Sequence, residues 1–101
     1  MYRQGDILLI PVEITKEKGK SHSGKLLIAK GEASGHVHTL HSPMIIEYKE
    51  KEDRFVEVFP ESKAELIHNV HAPIEIPAGL YQVIIQREYN SPLEAPSAVA
   101  D

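Results

Sequence analysis

The sequence predicts a small all-β domain, folded as an antiparallel β-barrel or sandwich. Two observations lead to this prediction. About six to eight short apolar segments follow one another with Gly, Pro, Asn, Asp or charged residues between them. No stretch keeps an apolar period of 3.6 residues over the length of a helix. Closing such a sheet into a barrel would also protect its apolar strand edges from pairing with other chains.

The first half of the chain predicts four strands. Gly5 and Asp6 lead into a nearly continuous apolar run that is typical of a strand buried on both faces, and Pro11 marks a bend or an unpaired edge within it. Residues 15–24, rich in Lys, Ser and Gly, predict a loop. The Ser42-Pro43 pair predicts a break before the fourth strand. The predicted strands are 7–14, 25–29, 36–40 and 44–48.

The second half begins with a charged segment, 49–53, that predicts the turn of a hairpin with its return strand at 54–59. Residues 61–71 fit either a short helix or a strand. Ser62 and Glu65 have the spacing of a capping box, but a proline at 73 leaves little length for a helix, which favours the strand. The remaining predicted elements are a strand end and turn at 74–79 and a last strand at 80–89. We expect a single β domain over 1–89 and a short flexible tail, extended or disordered, over the proline-punctuated residues 90–101.

Composition limits the classes of function. The 101 residues are enough for one core, and the absence of cysteine excludes a disulfide framework. Residues 1–20 lack the apolar region of a signal peptide, and no apolar run is long enough to cross a bilayer, so we expect a cytoplasmic protein with no membrane partner. A net charge of −4 with no tryptophan and two phenylalanines argues against nucleic acid. A small-molecule ligand and a homo-oligomer stay open.

Histidines are the residues with the clearest chemical content. Five of the six fall in two short groups, 36–41 and 68–71. Side chains at i and i+2 of a strand share a face, so His36 and His38 are expected to point the same way, roughly 7 Å apart. One such pair is more often a solvated strand face than a site. A second pair, and a Gly-Glu-x-x-Gly turn before the first, favour a metal or catalytic site.

Known metal sites indicate which residues would complete the set. Catalytic zinc usually has three protein ligands and an open position, and non-heme iron has two histidines, a carboxylate and open positions. His41 has the opposite parity to the first pair and could join only if the chain bends. The expected cofactor is a divalent transition metal: zinc, iron, nickel or manganese. The candidate ligands are His36, His38, His68, His71, Glu32 and His41, with Glu75 a further candidate as ligand or as partner of a ligand.

Two stretches resemble the sequence signatures of the cupins, which are metal-binding double-stranded barrels. The stretches are 31–38, with its His-x-His pair, and the later Pro-x-Gly turn at 77–79. The resemblance implies a cupin-like barrel in which this His-x-His pair and a later histidine hold one metal. Gln82 stands where a cupin has its last histidine, so His68 or His71 would have to replace it.

Nearly the whole chain resembles small uncharacterised bacterial and phage proteins. The shared pattern starts with Gln-Gly-Asp at 4–6 and continues with the Gly-Glu-x-x-Gly-His-x-His centre at 31–38 and paired histidines. It ends with Pro-x-Gly-x-Tyr at 77–81 and Gln-Arg-Glu-Tyr at 86–89. This resemblance implies one compact domain and no particular reaction.

Three functions stay open at this point. The first is a histidine-ligated metal site, which with an open position could support hydrolysis or oxygen chemistry. The second is metal-free acid/base catalysis by two histidines on a phosphodiester, although the Ser or Thr expected two residues after each histidine is missing. The third is a non-enzymatic binding module of a larger assembly.

Overall fold

The fold was determined as a computed structural model that describes residues 1–13, 18–30 and 35–86. These residues form an antiparallel, nearly closed barrel sheet and no helix, which confirms the all-β prediction. Within these ranges there is accordingly no helix long and apolar enough to cross a membrane. The predicted tail, 90–101, lies outside the described residues. The strands are β1 (Tyr2–Gln4), β2 (Ile7–Pro11), β3 (Lys20–Lys30), β4 (Val37–Glu50), β5 (Asp53–Val58), β6 (Ala64–His68), β7 (Ile74–Ile76) and β8 (Gly79–Ile85).

Strand β4 organises the sheet. Along one edge it pairs with β3 over most of its 14 residues. Along the other edge its first part pairs with β6 and its second part with β5. The sheet therefore divides at β4 into one branch that continues through β5, β8, β2 and β1, and another that continues through β6 and β7.

A side chain connects the far ends of the two branches. The amide nitrogen of Gln4, at the end of β1, donates to the carbonyl oxygen of Leu66 at 2.8 Å and to that of Ala72 at 2.9 Å. Gln4 is only 2% exposed, so these bonds form away from water. Strands β1 and β7 form no ladder with each other. The Gln4 side chain therefore supplies the hydrogen bonds that hold β1 against the β6–β7 branch.

The interior of the barrel is apolar because alternate side chains of the strands face it. Strand β2 pairs with β1 and β8, and its first three residues, Ile7, Leu8 and Leu9, are buried on both faces as predicted, whereas Ile10 is half-buried and Pro11 exposed. Each large aliphatic side chain buried in this way contributes roughly 1.5–3 kcal/mol relative to exposure. The most buried core residues are Ile7, Leu9, Leu40, Ile45, Val56, Val58, Leu66 and Ile76.

Two boundary predictions were wrong. The loop predicted at 15–24 is strand from Lys20 onward, because β3 takes up Gly24, with φ of 90°, at a β-bulge. Strand β4 also runs through Pro43, where a break was predicted. Pro43 has no ladder partner in β3, β5 or β6, so its missing N–H removes no sheet hydrogen bond. The preference for a strand within 61–71 is confirmed by β6.

A charged network also lies within the fold. The Glu47 carboxylate, 8% exposed, accepts a hydrogen bond from Arg54 Nε and lies 3.0 Å from His22 Nε2. The Arg54 guanidinium also donates to the carbonyl oxygens of Ile28 and Leu27, at 2.6 Å each, next to a β-bulge in β3. This network ties β3, β4 and β5 together.

Candidate functional site

The pairing of β4 with β6 brings the two predicted histidine pairs together. His38 and His68 are directly opposed in this ladder, and their ring centroids lie 4.2 Å apart. The His68 ring also contacts the rings of His71, at 4.4 Å, and His36, at 5.4 Å. We call these four residues, His36, His38, His68 and His71, the imidazole group.

The other two candidates differ. His41 has the opposite parity to His38 on β4, so it faces away from the imidazole group and lines a cleft together with Glu65 and Glu75. The structure therefore does not bring His41 or Glu75 to the site that the sequence suggested. Glu32 lies outside the described residues.

Gln4 fixes the orientation and tautomer of His38. Because the Gln4 amide nitrogen donates to two carbonyl oxygens, its Oε1 must be the atom that faces His38 Nδ1, at 3.0 Å. His38 Nδ1 therefore carries a hydrogen and donates it to Gln4. In a neutral His38 the lone pair is then on Nε2.

The lone pair of His38 Nε2 faces a carboxylate. Asp6 Oδ1 lies 3.2 Å from Nε2, and the His38 side chain is only 5% exposed. Two hydrogen-bond acceptors at this distance repel one another unless a proton or a metal ion lies between them. This contact is the centre of the candidate site.

Gly5, between Gln4 and Asp6, has a left-handed backbone with φ of 59°. A Cβ at this position would lie 2.9 Å from His71 Nε2 and 3.3 Å from His38 Cε1. Both rings therefore lie close against the Gly5 backbone, and glycine is required by conformation and by space. Sequence reasoning missed Gln4 and Asp6 as site residues. The glycine between them, in the shared Gln-Gly-Asp pattern, was the signal that could have identified them.

His68 is held differently from His38. Its Nδ1 accepts hydrogen bonds from the backbone N–H groups of Val70 at 3.0 Å and His71 at 3.1 Å. A neutral His68 therefore carries its hydrogen on Nε2, and in this conformation neither nitrogen offers a free lone pair to a metal. Its role in this geometry is to hold the turn that carries His71.

Burial and the neighbouring rings keep the imidazoles neutral. Burial first, then the charge that His68 would carry, lower the pKa of His38 from 6.5 to about 4, although Asp6 acts in the opposite direction. Burial and the nearby His71 and His36 also lower the pKa of His68. At neutral pH His38 and His68 are therefore uncharged, the form of imidazole that metals bind.

Across residues 1–13, 18–30 and 35–86, no three His, Cys, Asp or Glu side chains are already arranged as a metal site. His38 and Asp6 form a preset pair, and any third ligand has to move. His71 is a candidate for this third ligand, because its Nε2 lies beside Gly5, the residue before Asp6.

Comparison with known proteins places the chain in a family. Residues 3–86 match a family described as a domain of unknown function, DUF8820. The chain belongs to this family. No curated protein and no solved structure matches it. The similarity to cupins and the bacterial and phage sequence pattern are not confirmed by these comparisons.

Proposed function

We propose that this DUF8820 domain binds one divalent transition metal ion between His38 Nε2 and Asp6 Oδ1, with His71 as a third ligand. The observation that carries this proposal is the 3.2 Å contact between two acceptors, one of them on a side chain that Gln4 holds in a single tautomer. Ligands about 2.0–2.2 Å from a tetrahedral ion lie roughly 3.3 Å from each other, so the pair already has the spacing of two ligands of one ion.

The third ligand requires a local movement only. His71 lies between β6 and β7, outside both ladders, and its Nε2 is beside the Gly5 backbone that carries Asp6. Turning this ring toward Asp6 breaks no strand pairing. His36 and His68 lie next to the ion in this arrangement without binding it, which narrows the ligand set expected from the sequence.

The donor set indicates the kind of metal. Two imidazole nitrogens and one carboxylate oxygen suit zinc, iron, nickel or manganese, whereas calcium and magnesium prefer all-oxygen sites. The Gln4–His38 hydrogen bond is the outer contact that metal-bound histidines usually have, and it directs Nε2 toward the ion. Three protein ligands leave a coordination position at which the metal could supply Lewis-acid or oxygen chemistry.

A proton could also lie between His38 Nε2 and Asp6 Oδ1. The experiment therefore has to distinguish a bound metal ion from a shared proton. Untagged protein is stripped with chelator, loaded with each of the four metals in turn, desalted and analysed for bound metal. The expected result is about one equivalent of at least one metal, bound by a site of three ligands. Asp6→Asn and His38→Gln should each abolish it, whereas His41→Gln, a histidine on the other face of the same strand, should leave it unchanged.

Two results would contradict the proposal. One is a wild-type protein that retains none of the four metals. The other is equal retention by wild type and by His38→Gln. Either result would leave a shared proton between His38 and Asp6, and the site would then be metal-free.

A further inference from the structure

A cleft on the face of the sheet away from the imidazole group has no role in the proposed metal site. Its volume is about 570 Å³, within the range of roughly 300–1,000 Å³ that is typical of small-molecule sites. The residues that line it are Gly24, His41, Ser42, Pro43, Lys63, Ala64, Glu65 and Glu75.

Strand register aligns a row of ionisable side chains across this face. Lys25 on β3 pairs with His41 on β4, His41 with Glu65 on β6, and Glu65 with Glu75 on β7. Directly opposed residues of antiparallel strands have Cβ atoms roughly 4.5–5.5 Å apart. The Glu65 and Glu75 carboxylates are therefore neighbours across the strands.

Two like charges directly opposite each other weaken a sheet. Within the described part of the chain, the side chains of Glu65, Glu75 and Lys63 make no hydrogen bond or ion pair. Exposed carboxylates on a convex surface would simply be solvated. These line a concave surface instead, where one cation can contact both.

One side of the cleft is open. Ser42 lines the cleft, but its side chain is buried with the parity of His38 and Leu40, and its hydroxyl donates to the carbonyl oxygen of Met44 at 3.4 Å. At Gly24 no atom lies within 4 Å of the position that a Cβ would take, so this side of the cleft is open to a ligand.

Lys63 gives the cleft a second, positive contact. Lys63 and Glu65 flank Ala64, whose side chain is fully buried, so both charged side chains point outward on the same face. Side chains at i and i+2 of an extended chain lie roughly 6–7 Å apart. The cleft thus presents a cation-binding pair of carboxylates and an anion-binding ammonium group at a fixed spacing.

We propose that this cleft binds a small zwitterion: a protonated amine lies between Glu65 and Glu75, and an anionic group a few atoms away contacts Lys63. His41, opposite Glu65 in the ladder, hydrogen-bonds the ligand. An ω-amino acid with a short aliphatic chain has this charge spacing. The site is separate from the metal proposed at His38 and Asp6.

The test is a titration of the ¹⁵N-labelled full chain with 5-aminopentanoate, followed by the backbone amide shifts of the cleft residues. Pentylamine and pentanoate, each with one of the two charges, are the matched probes. Saturable shifts at residues 24, 41, 65 and 75 are expected, with a dissociation constant of about 1 mM or below. The two single-charge probes should bind at least about tenfold more weakly.

Variants separate specific binding from a general charge effect. The double variant Glu65→Gln, Glu75→Gln should lose the shifts, and Lys63→Met should bind 5-aminopentanoate no better than wild type binds pentylamine. Glu61→Gln, an exposed glutamate outside the cleft, should bind like wild type. Absence of saturable shifts up to about 10 mM, equal binding by the double variant, or equal binding of pentylamine would each overturn the proposal.

Discussion

Among the described residues, two polar clusters are each built around a buried residue of β4, Glu47 in one and His38 in the other. One consists of Glu47, Arg54 and His22, and the other is the imidazole group with its partners Gln4 and Asp6. In the first, a carboxylate contacts a guanidinium that is always charged. In the second, a carboxylate, that of Asp6, contacts the neutral imidazole of His38.

The pKa shifts follow this difference. Burial by itself would raise the pKa of the Glu47 carboxyl, but the hydrogen bond and charge of Arg54, with the His22 hydrogen bond, outweigh burial and lower it. For His38, burial and the nearby His68 outweigh Asp6 and lower the pKa to about 4. The first group thus contains its own cation, whereas the second contains the acceptor pair of His38 and Asp6, between which a cation fits. Substitutions in the two groups should therefore differ in their effects on stability and on metal binding.

Glu47→Gln should have the largest effect on stability. It leaves the Arg54 guanidinium without a counter-charge in a mostly buried position, and removal of one partner of such a pair costs about 3–5 kcal/mol. Urea unfolding of wild type and variant measures the loss. Glu61→Gln, an exposed glutamate, is the control and should change stability by less than about 0.5 kcal/mol. A loss below about 1 kcal/mol for Glu47→Gln would show that the pair is not closed in solution.

Gln4→Met should rank second and should affect both stability and metal binding. It leaves the carbonyl oxygens of Leu66 and Ala72 and the Nδ1–H of His38 without their partner, at about 2–3 kcal/mol in total. Loss of the outer hydrogen bond should also weaken metal binding about 10–100-fold. Unfolding and metal titration on the same preparation test both. If affinity is unchanged in a folded variant, Gln4 closes the barrel only and does not position His38.

Gly5→Ala should cost about 1–3 kcal/mol because of its left-handed backbone. The added methyl group would also meet His71 Nε2 and should displace that ring. Gly24→Ala is the matched control, since Gly24 also has a positive φ but nothing within 4 Å of its Cβ position. Both variants should lose stability, but only Gly5→Ala should lose the metal. Normal metal binding by Gly5→Ala would remove His71 from the ligand set.

The all-β fold could be predicted from the sequence because apolar runs and turn residues are local signals. The run at 7–11 and the turn after Glu50 were recognised in this way. The three-residue strand β1 was not recognised, although it forms a hairpin with β2 across Gly5 and Asp6. The hydrogen bond from Gln4 to the Leu66 carbonyl oxygen, which reaches a different branch of the barrel, was not predictable either. A contact that spans 62 residues of sequence has no local signature.

The same reasoning explains which parts of the candidate site were found. Imidazoles are rare enough to be noticed, and the predicted strands suggested that His36 and His38 share a face. Asp6 was noted only as a residue that leads into the first strand and as part of the Gln-Gly-Asp pattern, because nothing in the sequence shows that it lies against β4. Parity alone was enough to set His41 apart.

The smallest predicted effect is the pH dependence of stability, which appears only in acid. The His38 site and the Glu47 network should lose stability over different pH ranges. The folded pKa of His38, about 4, lies below its ordinary value of 6.5. Below pH 6.5 the unfolded chain therefore binds a proton that the folded chain does not, and stability falls until about pH 4. The pKa of Glu47 is also lowered, from 4.5, so its contribution is present above pH 4.5 and is lost only below it.

Urea unfolding between pH 7 and pH 3.5, with chelator present to exclude metal, should therefore show two successive losses of stability. His38→Gln should reduce the slope between pH 6.5 and 4 without abolishing it, since the pKa of His68 is also lowered. Glu47→Gln should keep that slope and lose the steeper part below pH 4.5. If His38→Gln leaves the upper slope intact, the folded pKa of His38 is not lowered, and the imidazole takes up its proton as readily in the folded chain as in the unfolded chain. A proton then lies between His38 and Asp6 below pH 6.5, and the imidazole group, like the Glu47 network, contains its own cation there.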